Sequence, residues 1–125
     1  MDRAIVIKVG GIILEAILID SNTANSIWDA LPIKAKANTW GDEIYFAIPV
    51  DLEPEQGQDI VNIGDLGFWP VGRAFCIFFG PTPMSSGDEI RPASAVNVFG
   101  KILGDSTVLR GISAGTEVFV DKKEK

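Results

Sequence analysis

The segment GDLGFWPVGRAFCIFFGPTP, residues 64–83, joins a dense apolar run to closely spaced glycines and prolines. A short apolar run edged by glycine and proline is typical of a β-strand that crosses a packed interior and then turns a corner. Comparable short runs recur as IVNIG, LGFWP, AVNVFGKIL and EVFVDK, and glycine, proline or aspartate turns separate them. Many short strands with regular turn signals indicate an all-β barrel or sandwich.

Two other segments predict strands with defined faces. RAIVIKVGGIILEAILID places β-branched runs on either side of two glycines, a pair suited to a two-residue hairpin turn with positive φ. Both faces of the second run are apolar, which predicts a strand covered on both sides, as in a closed barrel. In EIYFAIP, the alternation places Ile44 and Phe46 on one face. Glu43 and Tyr45 fall on the other face.

Helical spacing is confined to two short segments. In SNTANSIWDALP, Asn22 or Thr23 is a suitable helix cap, and Pro32 ends the helix. Trp28 falls on the apolar side of this helix and is expected to pack on the barrel. A second short helix is expected over residues 108–112. The length of 125 residues, without a linker or internal repeat, predicts a single domain over residues 1–125.

Composition removes several classes of function. The sequence has no histidine, which excludes Ser-His-Asp and Cys-His catalysis and histidine-containing zinc sites. Cys76 is the only cysteine, so an intrachain disulfide and an all-thiolate zinc site are excluded as well. The acidic run DLEPE lacks the EF-hand pattern, and no glycine motif matches a dinucleotide or P-loop fingerprint. We therefore expect no metal and no cofactor.

Charge and hydropathy bear on partners and location. The formal net charge of −6 opposes binding to phosphate backbones and to anionic membranes. No apolar stretch reaches the roughly 18 residues of a spanning helix, and MDRAIVIKVGG differs from a signal peptide in length and flanks. We expect a cytoplasmic protein with neither a nucleic-acid nor a membrane partner.

The chain contains four segments in the order NTANSIWDAL, GDLGFWPVG, CIFFGPT and AVNVFGKILG, and this order resembles that of cyclophilins. NTANSIWDAL stands where that family has a helix, and GDLGFWPVG resembles one of its turns. CIFFGPT is similar to the family strand with a Phe-Phe pair, and AVNVFGKILG resembles the strand that contains Phe-Gly-Lys. GDEIYF and CIFFGPTP also resemble the small prokaryotic cyclophilin-like proteins, a group without an established biochemical role. The resemblance implies a closed eight-stranded antiparallel β-barrel with two short helices, one over each end.

The resemblance also implies a groove on the barrel wall, between WGDEIYF (40–46) and the loop GPTPMSSGDEIRP (80–92). Cyclophilins isomerise prolyl bonds with an arginine directed at the prolyl nitrogen, and the corresponding segment here carries Asp42 and Glu43 instead. A carboxylate has the wrong charge to stabilise electron density on that nitrogen. We therefore predict a binding module without catalytic residues, with a weak peptidyl-prolyl isomerase as the alternative.

The candidate binding residues lie on or near this groove, and most have a structural alternative. Phe79 corresponds to a pocket phenylalanine of cyclophilins or is a core side chain, and Trp69 shapes the pocket or plugs a barrel corner. Arg73 supplies the missing cation or is a surface arginine. Arg91 supplies the missing cation or forms a solvated ion pair with Glu89. The predicted binding set is Glu43, Tyr45, Trp69, Arg73, Phe79, Glu89 and Arg91.

The expected ligand is a short peptide or a small molecule with an apolar group that enters the pocket. The acids Glu43 and Glu89 should favour neutral or basic partners. Tyr45 either contacts that ligand or stands exposed on the rim. A structural or assembly role, through exposed barrel edges or the FWP loop tip, is a third hypothesis.

Overall fold

The computed structural model describes residues 3–123 and folds them into one antiparallel sheet of nine strands, with one α-helix and one 3-10 turn. In chain order these are β1 (Arg3–Val9), β2 (Ile12–Leu18), α1 (Asn22–Ala30), β3 (Ile33–Lys36), β4 (Asn38–Thr39), β5 (Glu43–Ala47), β6 (Asp65–Trp69), β7 (Ala74–Phe78), β8 (Asn97–Leu103), the 3-10 turn (Ser106–Leu109) and β9 (Glu117–Lys122). The strand order is β3-β9-β1-β2-β8-β6-β7-β5-β4. Within residues 3–123, no helix has the length and apolar character needed to cross a membrane.

The two ends of the strand order are neighbours in the chain, which brings the sheet close to a closed barrel. β3 pairs with β9 and β4 pairs with β5, and only Ala37 stands between β3 and β4. The Ala37 N–H donates to Thr116 O, and its carbonyl accepts from Gly115 N, each at 2.8 Å. The predicted barrel is confirmed, but the count of eight strands is wrong. Residues 33–39 change partner at Ala37 and therefore form two strands instead of one.

The first hairpin is confirmed, with one correction to its second strand. Val9 pairs with Ile12 across a two-residue turn, and Gly10 has a φ of 58°, in the left-handed region that glycine favours. β2 was predicted to be covered on both faces, and this is wrong. Its residues alternate between buried and more exposed positions, and Ile13 is 63% exposed. The outer face of β2 is therefore open to solvent.

The first helix is present, but its cap differs from both predicted residues. Ser21 is the N-cap, because its hydroxyl accepts a hydrogen bond from Ala24 N at 3.0 Å. Asn22 and Thr23 are the first helical residues, and their backbone N–H groups donate to the Glu55 carboxylate. Glu55 therefore satisfies two N-terminal donors that the helix itself cannot. The helix ends at Ala30, before Pro32, and Trp28 packs against the core as predicted.

Two other predicted elements are shorter in the structure. The second helix, expected over residues 108–112, is a 3-10 turn over Ser106–Leu109 that begins at the capping residue Asp105. The expected strand IVNIG contributes a single bridge, in which Val61 N donates to Ile90 O at 3.0 Å. Residues 58–61 therefore lie over the outer side of the barrel wall and are not part of the nine-stranded sheet.

Buried apolar side chains form two clusters separated by the barrel wall. The larger fills the barrel, where the Phe46 ring stacks on Phe75 at 4.9 Å and Phe99 meets Phe75 edge-on at 5.0 Å. The smaller cluster lies on the outer side of β7 and consists of Val61, Ala74, Cys76, Phe78, Ile90 and Val96. All five residues of β7 are buried as a result. This second cluster forms the base of the candidate site.

Candidate functional site

A pocket of about 220 Å³ opens on the outer face of the wall formed by β5, β7 and β6. Three aromatic side chains and one carboxyl group dominate its lining. The lining residues are Trp40, Glu43, Tyr45, Trp69, Cys76, Pro92, Ala93 and Val96.

Strand register explains why these side chains meet. Tyr45 on β5 pairs with Cys76 on β7, and Cys76 pairs in turn with Gly67 on β6. Residues two apart on a strand share a face, so Glu43 and Trp69 join the same outer surface. Trp40 precedes β5, and its backbone N–H donates to the backbone carbonyl of Glu43 at 3.0 Å. Local alternation therefore assembles three sides of the pocket.

The fourth side comes from the segment before β8, and Gly67 provides the room for it. A Cβ atom at Gly67 would lie only 2.8 Å from Val96 Cγ2, closer than real side chains approach. Val96 is held there by a two-way backbone pairing with Gln58, at 2.8 and 3.1 Å. Because Gly67 has no side chain, the segment that contains Val96 can lie against the wall.

We call residues 80–96 the covering loop, and hydrogen bonds fix its course. The Thr82 hydroxyl donates to Arg91 O, and Arg91 N donates to the Ser85 hydroxyl at 3.0 Å. The Trp69 indole N–H donates to the Ser94 hydroxyl, which joins the wall directly to the loop. These contacts hold Pro92 and Ala93 against the pocket.

Glu43 is the unusual charge in the pocket. Only 6% of its surface is exposed, and Oε1 has no hydrogen-bond partner among residues 3–123. Burial raises the pKa of Glu43 from 4.5 to about 7, and a hydrogen bond with the Cys76 thiol opposes this rise only in part. Burial likewise raises the pKa of Cys76 well above its usual range. The pocket thus contains a carboxyl group that titrates near neutral pH and a thiol that stays protonated there.

The structure brings three of the predicted binding residues together in the pocket, namely Glu43, Tyr45 and Trp69. Arg91 and Glu89 lie in the covering loop and form an ion pair, with Arg91 Nε 2.8 Å from Glu89 Oε2. Their hydrogen bond lowers the pKa of Glu89. Neither side chain lines the pocket.

The two remaining predicted residues lie elsewhere. Phe79 is 3% exposed and belongs to the cluster inside the barrel. Arg73 occupies the turn before β7, and its Nε lies 3.7 Å from the Asp51 carboxylate. Neither side chain lines the pocket.

Sequence analysis did not select Trp40, Pro92 or Ala93, which also line the pocket. Trp40 carried a usable signal, since it begins the segment WGDEIYF that was assigned to one side of the groove. Pro92 and Ala93 carried no comparable signal, because their place against the wall depends on long-range contacts of the covering loop. Cys76, which also lines the pocket, is a buried free cysteine.

A larger and more open depression, of about 580 Å³, lies on the wall formed by β3, β9 and β1. Its lining includes Lys8, Lys34, Lys36 and Phe119. The three lysines are exposed, and Lys8 Nζ lies 5.9 Å from the centre of the Phe119 ring. This surface has the opposite charge character to the pocket around Glu43.

Comparison with known proteins agrees with the architecture. Residues 3–121 match the sequence model of the family described as Cyclophilin-like. The solution structure of a hypothetical protein from Archaeoglobus fulgidus is similar, with 41% identity and a TM-score of 0.83. That similarity covers 98% of this chain and 95% of the other. No curated protein matches the chain by sequence. The resemblance drawn from four sequence segments is confirmed, and the chain belongs to the cyclophilin-like family.

Proposed function

We propose that this chain is a binding protein whose pocket takes one side-chain-sized group of a short peptide or small molecule. The observation that carries the proposal is the concave site of about 220 Å³ lined by Trp40, Tyr45 and Trp69. Ligand sites are typically apolar concavities with a few polar groups, and those for drug-sized ligands measure about 300–1,000 Å³. The smaller volume here suits part of a ligand, with the remainder lying outside along the wall.

The position of the pocket supports a groove between residues 40–46 and the covering loop. Trp40, Glu43 and Tyr45 come from the first segment, and Pro92 comes from the loop. Glu43 places an acidic group inside this site, which favours neutral or basic partners. Glu89, on the loop, is paired with Arg91 and adds no net charge.

The three tryptophans of the chain allow a direct test. Trp40 and Trp69 line the pocket, whereas Trp28 lies on α1. Their indole N–H groups should give three resolved NMR signals. Titration with acetylated short peptides and small-molecule fragments is expected to shift the Trp40 and Trp69 signals and to leave that of Trp28 unchanged. Responses confined to Trp28, or to the wall of β1, β9 and β3, would contradict the proposal.

A matched pair of variants separates pocket binding from general surface binding. Ala93 and Ala47 are both exposed, but only Ala93 lines the pocket. Ala93→Phe should block the pocket and weaken every ligand that shifts Trp40 and Trp69. Ala47→Phe adds the same bulk on β5, outside the pocket, and should leave binding unchanged. Equal effects of the two variants would count against the assigned site.

The alternative function is weak prolyl isomerisation, for which the family relationship is the motive. Catalysis by this route needs a cation directed at the prolyl nitrogen. No arginine or lysine lines the pocket in the described part of the chain, where Arg73 pairs with Asp51 and Arg91 with Glu89. We therefore expect isomerase activity to be absent or far below that of ordinary cyclophilins.

A protease-coupled assay on an Ala-Pro peptide tests this expectation. Isomerisation at the uncatalysed rate, together with measurable peptide binding, supports the binding function. Turnover at an ordinary cyclophilin rate that Arg91→Ala or Arg73→Ala abolishes would support the alternative, because it would show that a displaced arginine acts.

A further inference from the structure

The buried carboxyl group of Glu43 is the feature of the pocket that a purely apolar ligand leaves unexplained. Two buried side-chain oxygens lack a partner among residues 3–123, Glu43 Oε1 and Ser106 Oγ, and only the first belongs to an acid. An unpaired buried carboxylate is costly, and a hydrogen-bond donor with a positive charge relieves that cost best. Glu43 lines the pocket, so a ligand can supply a donor to its carboxyl group.

The remaining lining favours the same kind of ligand. Trp40, Tyr45 and Trp69 line the pocket, and the face of an aromatic ring attracts a cation. Within residues 3–123 no lysine or arginine lines the pocket, so no side chain of the chain itself neutralises Glu43 there. The net charge of −6 also attracts cations towards the protein.

The volume limits the size of the group. The pocket of about 220 Å³ is smaller than the sites of drug-sized ligands, which measure about 300–1,000 Å³. A short alkyl chain that ends in a nitrogen fits that space, whereas a bulky polycyclic cation exceeds it.

We propose that the group taken by the pocket is an alkylammonium ion, which donates an N–H to the Glu43 carboxylate and packs its stem against Trp40, Tyr45 and Trp69. The inference rests on the binding function proposed above and specifies the chemistry of its ligand. Such an ion is a lysine side chain of a peptide or a free small amine, and both share the same head group.

The test uses butylammonium, which reproduces a lysine side chain, and butanol, its neutral counterpart. Binding is followed through the indole signals of Trp40 and Trp69. At pH 8 butylammonium is expected to bind at least about tenfold more tightly than butanol, as an interaction with a buried charge predicts. Equal affinities would overturn the inference and leave a binding function for apolar groups intact. A lack of response to both, and to the peptide and fragment panel, would overturn the binding function itself.

Methylation of the amine tests the hydrogen bond to Glu43. Dimethylbutylammonium retains one N–H and is expected to bind, whereas trimethylbutylammonium has none and should lose about tenfold in affinity. Equal binding of the trimethyl compound would contradict N–H donation to the Glu43 carboxylate.

The affinity should also depend on pH, because the carboxylate is the binding form. The pKa of Glu43 lies at about 7, so affinity for butylammonium is expected to fall about tenfold between pH 8 and pH 6. Butylammonium itself stays charged throughout, with a pKa near that of lysine, about 10.4. Tyr45 and Cys76 are the other ionisable lining residues, while Glu89 and Arg91 of the covering loop pair with each other. A flat pH profile would contradict the inference.

Two glutamate variants provide the matched control. Glu43→Gln keeps the shape of the side chain and should remove both the preference for butylammonium and its pH dependence, while butanol binding persists. Glu15→Gln makes the same change in net charge on β2, where Glu15 pairs with Lys123 at 2.9 Å, and should alter neither. An equal loss in the two variants would point to long-range attraction alone and overturn the contact with Glu43.

A final comparison identifies the source of the ammonium group. An acetylated pentapeptide with a central lysine and free butylammonium are titrated under the same conditions. Tighter binding of the peptide assigns a lysine side chain as the ligand, and tighter binding of butylammonium assigns a free amine. Failure of both at pH 8 would overturn the inference.

Discussion

Strands β2 and β7 belong to the same barrel, but their outer faces differ. In β2 the inward residues Leu14, Ala16 and Leu18 are buried, whereas the outward residues between them are more exposed. In β7 the outward residues are buried as completely as the inward ones, because residues 58–61 and the covering loop lie over them. One wall is therefore a boundary of the core, and the other is an interior layer between two apolar clusters.

Two outward-facing glutamates show what this difference does to chemistry. Glu15 on β2 is half-exposed and lies 2.9 Å from Lys123 Nζ. Glu43 on β5 is covered, lacks a partner for Oε1, and has its pKa raised to about 7. On one strand this residue type is an exposed ion-pair partner, and on the other it is a buried carboxyl group that titrates near neutral pH. The covering loop, more than the barrel, creates the candidate site.

The largest expected difference in stability is between two truncations of outward-facing phenylalanines, one on each kind of wall. Phe78 on β7 has no exposed surface, and Phe119 on β9 is only partly buried. Phe78→Ala should lower the free energy of unfolding by about 3–5 kcal/mol, as for a core phenylalanine. Phe119→Ala should cost less than about 1 kcal/mol. Urea denaturation of both variants measures the difference, and similar losses would show that the two walls are not distinct.

The next effect is a pH-dependent stability difference at Glu43. Its folded pKa of about 7 exceeds the ordinary value of 4.5, so its contribution to stability is intact below about pH 4.5 and is lost as pH rises through about 7. Between pH 4 and pH 8 the wild type should therefore lose about 3 kcal/mol of unfolding free energy that Glu43→Gln does not lose. Glu15→Gln should show no comparable trend. A parallel pH dependence in wild type and Glu43→Gln would mean that Glu43 is not the group responsible.

Sequence pattern predicted the parts of this comparison that depend on local periodicity. The alternation in EIYFAIP placed Glu43 and Tyr45 on one face of β5, and the register with β7 confirms that face. The alternation alone could not reveal that this face is covered, because an outward glutamate beside a tyrosine is typical of a solvated surface. Coverage comes from residues 90–96, which are about fifty positions away in the chain.

Phe79 shows how sensitive a site prediction is to the period of two along a strand. Phe78 points outward into the cluster beneath the covering loop, and Phe79 points inward into the barrel. A difference of one residue reverses the face. The family resemblance matched Phe79 to a pocket phenylalanine, whereas Phe78 is the ring that lies in the outer cluster. Ala37 is similar, since its change of strand partner depends on β9 and β5 together.

A smaller effect is expected where the loop meets the wall. Gly67→Ala would place Cβ 2.8 Å from Val96 Cγ2 and should cost about 1–3 kcal/mol of unfolding free energy through overpacking. Gly11→Ala, in the hairpin turn, meets no atom within 4 Å and should change stability by less than about 0.5 kcal/mol. Combining Gly67→Ala with Val96→Ala should cost less than the sum of the single changes. Additive losses would indicate that Val96 does not press on Gly67.

The smallest effect concerns the ion pairs, and the reason lies in how the covering loop is attached. Val61 N donates to Ile90 O at 3.0 Å, and Ser85 and Thr82 bond to the backbone of Arg91. None of these contacts uses the guanidinium of Arg91. Its charged group reaches Glu89 on the surface of the loop, where solvent screens the pair.

Arg91→Gln is therefore expected to leave the urea midpoint of unfolding unchanged, as is Lys123→Gln, which breaks the pair with Glu15 on the open wall. Thr82→Val serves as the positive control, because it removes a buried hydroxyl that donates to the Arg91 carbonyl, and its midpoint should fall. If Arg91→Gln lowers the midpoint as far as Thr82→Val does, the contact with Glu89 holds the loop. The two walls would then differ in their electrostatics and not only in what covers them.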